Sequence, residues 1–233
     1  MYPEDRLAVA NDLRARGKCS KAVLQYEQLL SEFPKPEVAE QAKFNLAGCR
    51  MELEEYDLAR REFEVFIDSY PRSELVDDAM YMIGLTYLEQ AARPERDQTQ
   101  TLEALSELEL LIREYPNTDL REAAQERIAE CKSRLAEKDY LNGELYLRLG
   151  YYSSAHVYFD SVISQYGDTS WAGRALLGKG IAFEGQNQPE KARQVFRQVL
   201  DEFPSGGVAQ QAARRLEELG GESNGRGGDL LQE

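Results

Sequence analysis

Residues 46–49 read Leu-Ala-Gly-Cys, which makes Cys49 the first residue of this sequence to suggest chemistry. Bacteria attach a lipid through the thiol of a cysteine that follows such a triplet, provided an apolar leader stands upstream. Here the preceding stretch is "EVAEQAKFN", polar and charged, so Cys49 is expected inside a helix and not at a lipid anchor. Cys19, Cys49 and Cys131 are odd in number, widely spaced and free of any CxxC pair. That pattern suggests neither a zinc site nor a disulfide framework. Three small buried thiols are expected instead.

The one histidine, His156, has Tyr158 as its notable neighbour and is expected to be a surface or core residue, neither a base nor a metal ligand. No phosphate-binding GxxxxGK[ST], metalloprotease HExxH or hydrolase GxSxG occurs. Carboxylates are plentiful but spread along helix faces, as solvated surface requires. No cofactor, metal site or catalytic residue is expected, and a binding protein is the better reading than an enzyme.

Net charge supports that narrowing. The 233 residues carry a formal charge of −14, which excludes a nucleic-acid backbone as partner, because that needs clustered Lys and Arg. No segment reaches the roughly 18 apolar residues of a membrane-spanning helix. The N-terminus "MYPEDRLAVANDLRARG" is charged and does not read as a signal peptide.

The elements that position these residues follow from an internal repeat. Pro34, Pro71, Pro116, Gly167 and Pro204 close five similar segments. Twelve residues before each stands alanine: Ala22, Ala59, Ala104, Ala155 and Ala192. Eight before stands a large apolar residue: Tyr26, Phe63, Leu108, Phe159 and Phe196. Eight after stands alanine again: Ala42, Ala79, Ala124, Ala175 and Ala212. A fourth, small column is Ala10, Ala47, Gly84, Gly143 and Gly180. The pattern predicts stacked helix pairs, with small residues letting helix A approach helix B and the large residue filling the gap to the next pair. Proline ends helix B in four of the five, and Gly167 stands in its place in the fourth. Ser73, Thr118 and Thr169 stand where the next helix wants an N-cap; Pro36 and Gly206 break that rule.

This arrangement is similar to the tetratricopeptide repeat. The reading is an all-α, right-handed solenoid of five such helix pairs over 1–219, with repeats near 4–34, 37–71, 74–116, 119–167 and 170–204. A capping helix at 207–219 and a flexible tail at 220–233 complete it.

Two insertions interrupt the 37-residue period. "EQAARPERDQTQT" lengthens the turn inside repeat 3, with Asp97 and Gln100 spaced as a capping box. Fourteen extra residues precede Gly167, close to the roughly 14.4 residues of four helical turns. One long helix over about 119–149 is therefore expected, with Ile128, Leu135, Leu141, Leu145 and Leu149 only partly covered. The helix A positions of repeats 1 to 3 offer Asn11, Arg14, Phe44, Gly48, Met51, Tyr81, Leu85 and Leu88 as a candidate peptide groove. The irregular second half offers Arg93, Arg96, Asp97, Tyr151, Tyr152 and His156 as a candidate docking surface for a folded partner.

From residue 79 onward the likeness becomes more specific. "AMYMIGLTYLEQ", "RDQTQTLEA", "LIREYPNTDLREAAQERI" and "CKSRLAEKDYLNGELYLRLGYYSSA" follow in one order. Together they resemble the BamD family of outer-membrane assembly lipoproteins. The resemblance implies a scaffold at the periplasmic face of the outer membrane. Its C-terminal repeats would dock on a BamA-like barrel subunit, beside other lipoproteins of the assembly machinery. Its N-terminal repeats would receive the C-terminal peptides of unfolded outer-membrane proteins. The family is held to the membrane by an N-terminal lipid, and this sequence is expected to be the mature part without it or to begin at a late start site. Where some family members carry an arginine that pairs with the barrel subunit, this chain has Tyr158. A CpoB-type repeat protein of the Tol system, or another repeat adaptor, is the alternative; it lacks the RDQT insertion and the long helix.

Overall fold

The computed structural model describes residues 2–33 and 36–225. Eleven helices occur among the described residues, and no strand. They are α1 (Pro3–Ala15), α2 (Cys19–Glu32), α3 (Pro36–Glu52), α4 (Tyr56–Ser69), α5 (Val76–Glu89), α6 (Thr99–Glu114), α7 (Arg121–Arg148), α8 (Tyr152–Gln165), α9 (Trp171–Gly185), α10 (Pro189–Glu202) and α11 (Gly206–Gly225). The chain divides into two compact units. The first comprises residues 1–93 and 97–131, the second 94–96 and 132–233.

All three alanine-or-large columns of the repeat are fully buried, from Ala22 and Tyr26 to Phe196 and Ala212. The small column explains why. A Cβ placed on Gly84 of α5 would stand 2.8 Å from Leu108 Cγ of α6. On Gly143 of α7 it would stand 2.6 Å from the Phe159 ring of α8, and on Gly180 of α9 it would meet the Phe196 ring of α10. The large residue of helix B thus sits on the small residue of helix A in its own pair. Phe159 also presses on Gly178 of α9, reaching the next pair as the pattern implied.

Each helix B ends on an aromatic residue that the repeat columns did not include: Phe33, Tyr70, Tyr115, Tyr166 and Phe203. Each closes its helix with φ between −122° and −132°. In four of the five a following proline clashes with helical backbone at the residue before it, which drives that residue out of the helix; Tyr166 precedes Gly167. Phe203 then covers Gly173 of α9, and Tyr70 packs on Phe66 with ring centroids 5.4 Å apart.

A second unnoticed column lies in the turns within pairs. Gly17, Glu54, Gly150 and Asn187 all have positive φ, between 56° and 76°, and each stands five residues before its alanine. A left-handed residue reverses the chain after helix A, and only glycine adopts it without strain.

The capping expectations need correction. The N-caps of α5 and α9 are Leu75 and Ser170, not Ser73 and Thr169. Ser73 and Thr118 act one turn earlier, accepting the N–H of Leu75 at 3.1 Å and of Leu120 at 3.2 Å. Their hydroxyls also donate back to the preceding helix A, Ser73 to Glu40 and Thr118 to Asp77. Thr169 instead donates to the Tyr166 carbonyl at 2.7 Å. In the repeat 3 turn the N-cap of α6 is Gln98, and the Gln100 Oε1 atom is buried without a partner, so the capping box does not close.

The long helix is present as α7, 28 residues from Arg121 to Arg148. The last helix continues to Gly225, past the expected end at 219. Pro34, and residues 226–233 of the expected tail, lie outside the described residues.

Candidate partner-binding surfaces

The eight groove candidates lie in the first unit, where the structure separates a polar network from residues packed in or against the apolar core. Asn11, Arg14 and Gly48 belong to a closed polar network between α1 and α3. The Asn11 carboxamide oxygen accepts from Tyr26 Oη at 2.7 Å and from Asn45 Nδ2 at 3.0 Å. Arg14 donates from Nε to Glu52 at 2.9 Å and from Nη1 to Asn45 at 2.9 Å. Its guanidinium lies over Gly48, where a Cβ would come within 2.6 Å of Nη2. Burial pushes the Tyr26 phenol up to about 12, against the lowering pull of Arg14.

Leu88 belongs to the core, and Phe44 is half-buried against it. Phe44 meets Phe63 and Phe66 edge-on, each at 5.5 Å. Leu88 is buried. Met51, Tyr81 and Leu85 are half-buried against the same cluster and keep part of their surface for a ligand.

Arg93, Arg96 and Asp97 are exposed on the turn between α5 and α6. The residue that shapes this turn is Gln98, which sequence reasoning passed over. Its side chain is buried; Nε2 donates to the carbonyls of Arg93 at 2.8 Å, Ala92 at 3.3 Å and Asp97 at 3.3 Å. Its Oε1 accepts from the buried Thr101 hydroxyl at 2.7 Å. A lone glutamine in a polar loop carries no sequence signal for that role; only burial reveals it.

In the second unit Tyr151 is exposed and Tyr152 packs its ring on Gly185. His156 lies 4.2 Å from the Phe183 ring, centroid to centroid. Burial lowers its pKa; the nearby Gln186 amide and Asp160 oppose that, while Lys179 and Lys191 add to it. Neither ring nitrogen makes a well-formed hydrogen bond.

The α7 stripe is uncovered at one end only. Leu135 is buried and Ile128 packs on the first unit's core. Leu145 and Leu149 are 45% and 58% exposed, and Tyr151 and Val157 just beyond are 62% and 68% exposed. Tyr146 lies among them, stacked on Tyr158 at 5.4 Å and 10°. A second feature of this unit had no sequence signal. A cavity of about 430 Å³ opens between α7, α9 and α11, with Tyr140, Phe159, Leu177, Ile181 and Val208 in its wall and Arg174 beside them. Burial first, then a 2.8 Å hydrogen bond to Glu144, raises the Tyr140 pKa.

Nowhere among the described residues do three or more His, Cys, Asp or Glu side chains gather to hold a metal ion. No helix among them is long and apolar enough to cross a membrane.

Residues 6–195 match the model of a protein family described as YfiO, outer membrane lipoprotein. The chain belongs to that family. It is 28% identical over 162 residues to the outer membrane protein assembly factor BamD of Caulobacter vibrioides, covering 70% of this chain but 53% of that protein's own length. Against the protein of the same description from Vibrio cholerae it is 27% identical over 186 residues, covering 76% of this chain and 75% of that one. Among solved structures it is similar to the TPR2AB-domain:pHSP90-complex of yeast Sti1, at 13% identity with a TM-score of 0.49, covering 93% of this chain and 82% of that one.

Proposed function

We propose that this family member is a non-catalytic scaffold of outer-membrane β-barrel assembly, working at the periplasmic face of the outer membrane. It docks on a barrel subunit like BamA and receives the C-terminal peptides of unfolded outer-membrane proteins. The assembly role rests on the family and on the BamD relatives. The observation that carries the docking half is the exposed apolar corner at Leu145, Leu149, Tyr151 and Val157. Exposed apolar side chains gathered at one helix corner favour a protein partner. Tyr158, stacked beneath that corner, makes aromatic packing the docking chemistry here in place of an ion pair.

Peptide binding is assigned to the first unit through Met51, Tyr81 and Leu85, half-buried groove candidates outside the polar network and without the edge-on ring contacts that engage Phe44. A second reading places the peptide in the cavity beside Tyr140 and Arg174, which has an apolar wall and a guanidinium suited to a chain-terminal carboxylate.

Binding measured with purified variants tests both assignments. Leu149→Asp with Tyr151→Ala should weaken docking to the barrel subunit's periplasmic domains about tenfold or more, as loss of an apolar anchor does, while an aromatic-ended peptide still binds. Met51→Ala with Tyr81→Ala should do the reverse. If Tyr140→Ala abolishes peptide binding and the Met51/Tyr81 pair does not, the second reading replaces the first. Equal losses of both activities in folded variants would refute separate sites.

A further inference from the structure

Cys19 and Cys49, thirty residues apart in sequence, meet in the first unit's core. Cys19 opens α2 and is 4% exposed; Cys49 lies within α3 and is 0% exposed. Both belong to one buried cluster where α2 packs on α3, and each raises or lowers the other's titration. The Cys19 thiol also donates to Glu52 Oε2 at 2.7 Å. The other oxygen of that carboxylate accepts from Arg14 at 2.9 Å, so Glu52 is held in place from both sides. Its side chain remains 44% exposed, which gives the group a path to solvent.

We infer that Cys19 and Cys49 are an oxidative cross-linking site, closing as a disulfide that ties α2 to α3 when the protein meets an organic disulfide such as oxidised glutathione or a disulfide-exchange enzyme. The Cys19 thiol already reaches α3 at Glu52, one turn beyond Cys49, so little backbone movement is needed to bring the two thiols to bonding geometry. The surroundings are oxidising if the periplasmic location proposed above holds, since disulfides form and persist there. The cross-linking chemistry itself does not depend on that location.

The steps balance. Cys19 loses its proton to solvent, and its thiolate attacks the organic disulfide, forming a mixed disulfide and releasing one thiolate. Cys49 then loses its proton and attacks Cys19 Sγ, forming the Cys19–Cys49 bond and expelling the second thiolate. The two protons end on the two small thiols, and the organic disulfide is reduced as the protein pair is oxidised. Burial raises the pKa of both thiols, so the thiolate is scarce and the exchange is slow. Cys131, buried among the residues of α6 and α7 with neither of the others, stays a thiol.

The test is a thiol count on the whole chain after incubation with oxidised glutathione, removal of the reagent and denaturation. One free thiol is expected, against three in the reduced protein. A tryptic digest should contain Cys19–Lys21 joined to Phe44–Arg50, and a Cys131→Ala variant should show no free thiol after oxidation. Cross-linking should also raise the melting temperature of the oxidised wild type, an increase that Cys19→Ser removes. Three free thiols after prolonged oxidation would overturn the inference. So would glutathione retained on Cys19, or a dimer joined through it, because either shows that the two thiols cannot bond to each other.

Discussion

Gly180→Ala adds one methyl group at the tightest glycine of the small column. The new Cβ would stand 2.7 Å from Phe196 Cδ1 and 2.9 Å from Cζ. Real Cβ atoms do not approach ring carbons that closely, so something must move. The Phe196 ring is fully buried and is not a flexible side-chain end. Two effects oppose each other. Alanine is better than glycine in a helix interior by about 1 kcal/mol. Overpacking a dense core costs about 1–3 kcal/mol. Because several ring carbons block the site, the cost lies toward the upper end, and a net loss of about 1–2 kcal/mol follows. In a chain of this size that lowers the melting temperature by about 2–8 °C. The assay is a thermal melt followed by circular dichroism, with two companions. Gly207→Ala places its Cβ with nothing within 4 Å and should not lower the melt. Gly180→Ala with Phe196→Leu should lose less than the sum of the two single losses, by about 0.5 kcal/mol or more, because the clash is shared. A higher melting temperature for Gly180→Ala alone would refute the reasoning: it would mean α9 can step away from α10 and the glycine is not required by packing.

Two further outcomes follow from single residues. Glu54 holds φ at 60° in the slot that Gly17 and Gly150 fill elsewhere, so Glu54→Gly should relieve about 1 kcal/mol of left-handed strain and raise the melt; a fall would show that Glu54 is held there by something other than the turn. His156 is the only histidine, so its ring protons can be followed alone by NMR, and burial places its titration below 6.5. A histidine kept neutral in the fold leaves stability intact above the unfolded-state pKa and loses it as pH falls below about 6.5, where the unfolded chain takes up the proton first. Stability should therefore decline below that pH, down to the folded-state pKa, and His156→Phe should flatten the decline; a titration at or above 6.5 would contradict the burial.

Much of this protein is local and was legible from residues alone. Helix pairing repeats, so one physical rule is written five times: a small residue facing a large one, alanines on both flanks and a chain breaker after helix B. Independent copies of one rule stand out from the background, which is why the buried columns and the 28-residue α7 were predictable without coordinates. Cys49 followed from the same register, as a position inside α3 with no apolar leader before it.

Features that occur once in the chain were decided only by tertiary structure. Gln98 is a polar residue in a polar loop until burial makes its amide the organiser of the turn. Phe44 and Met51 share a helix and are both half-buried, yet Phe44 alone has Phe63 and Phe66 from α4 edge-on against its ring. Cys19 and Cys49 look isolated in the sequence, since spacing says nothing about which helices cross. They share one buried cluster because α2 packs on α3 with Cys19 at its first turn, and that is information carried by the packing of two helices and by neither helix alone.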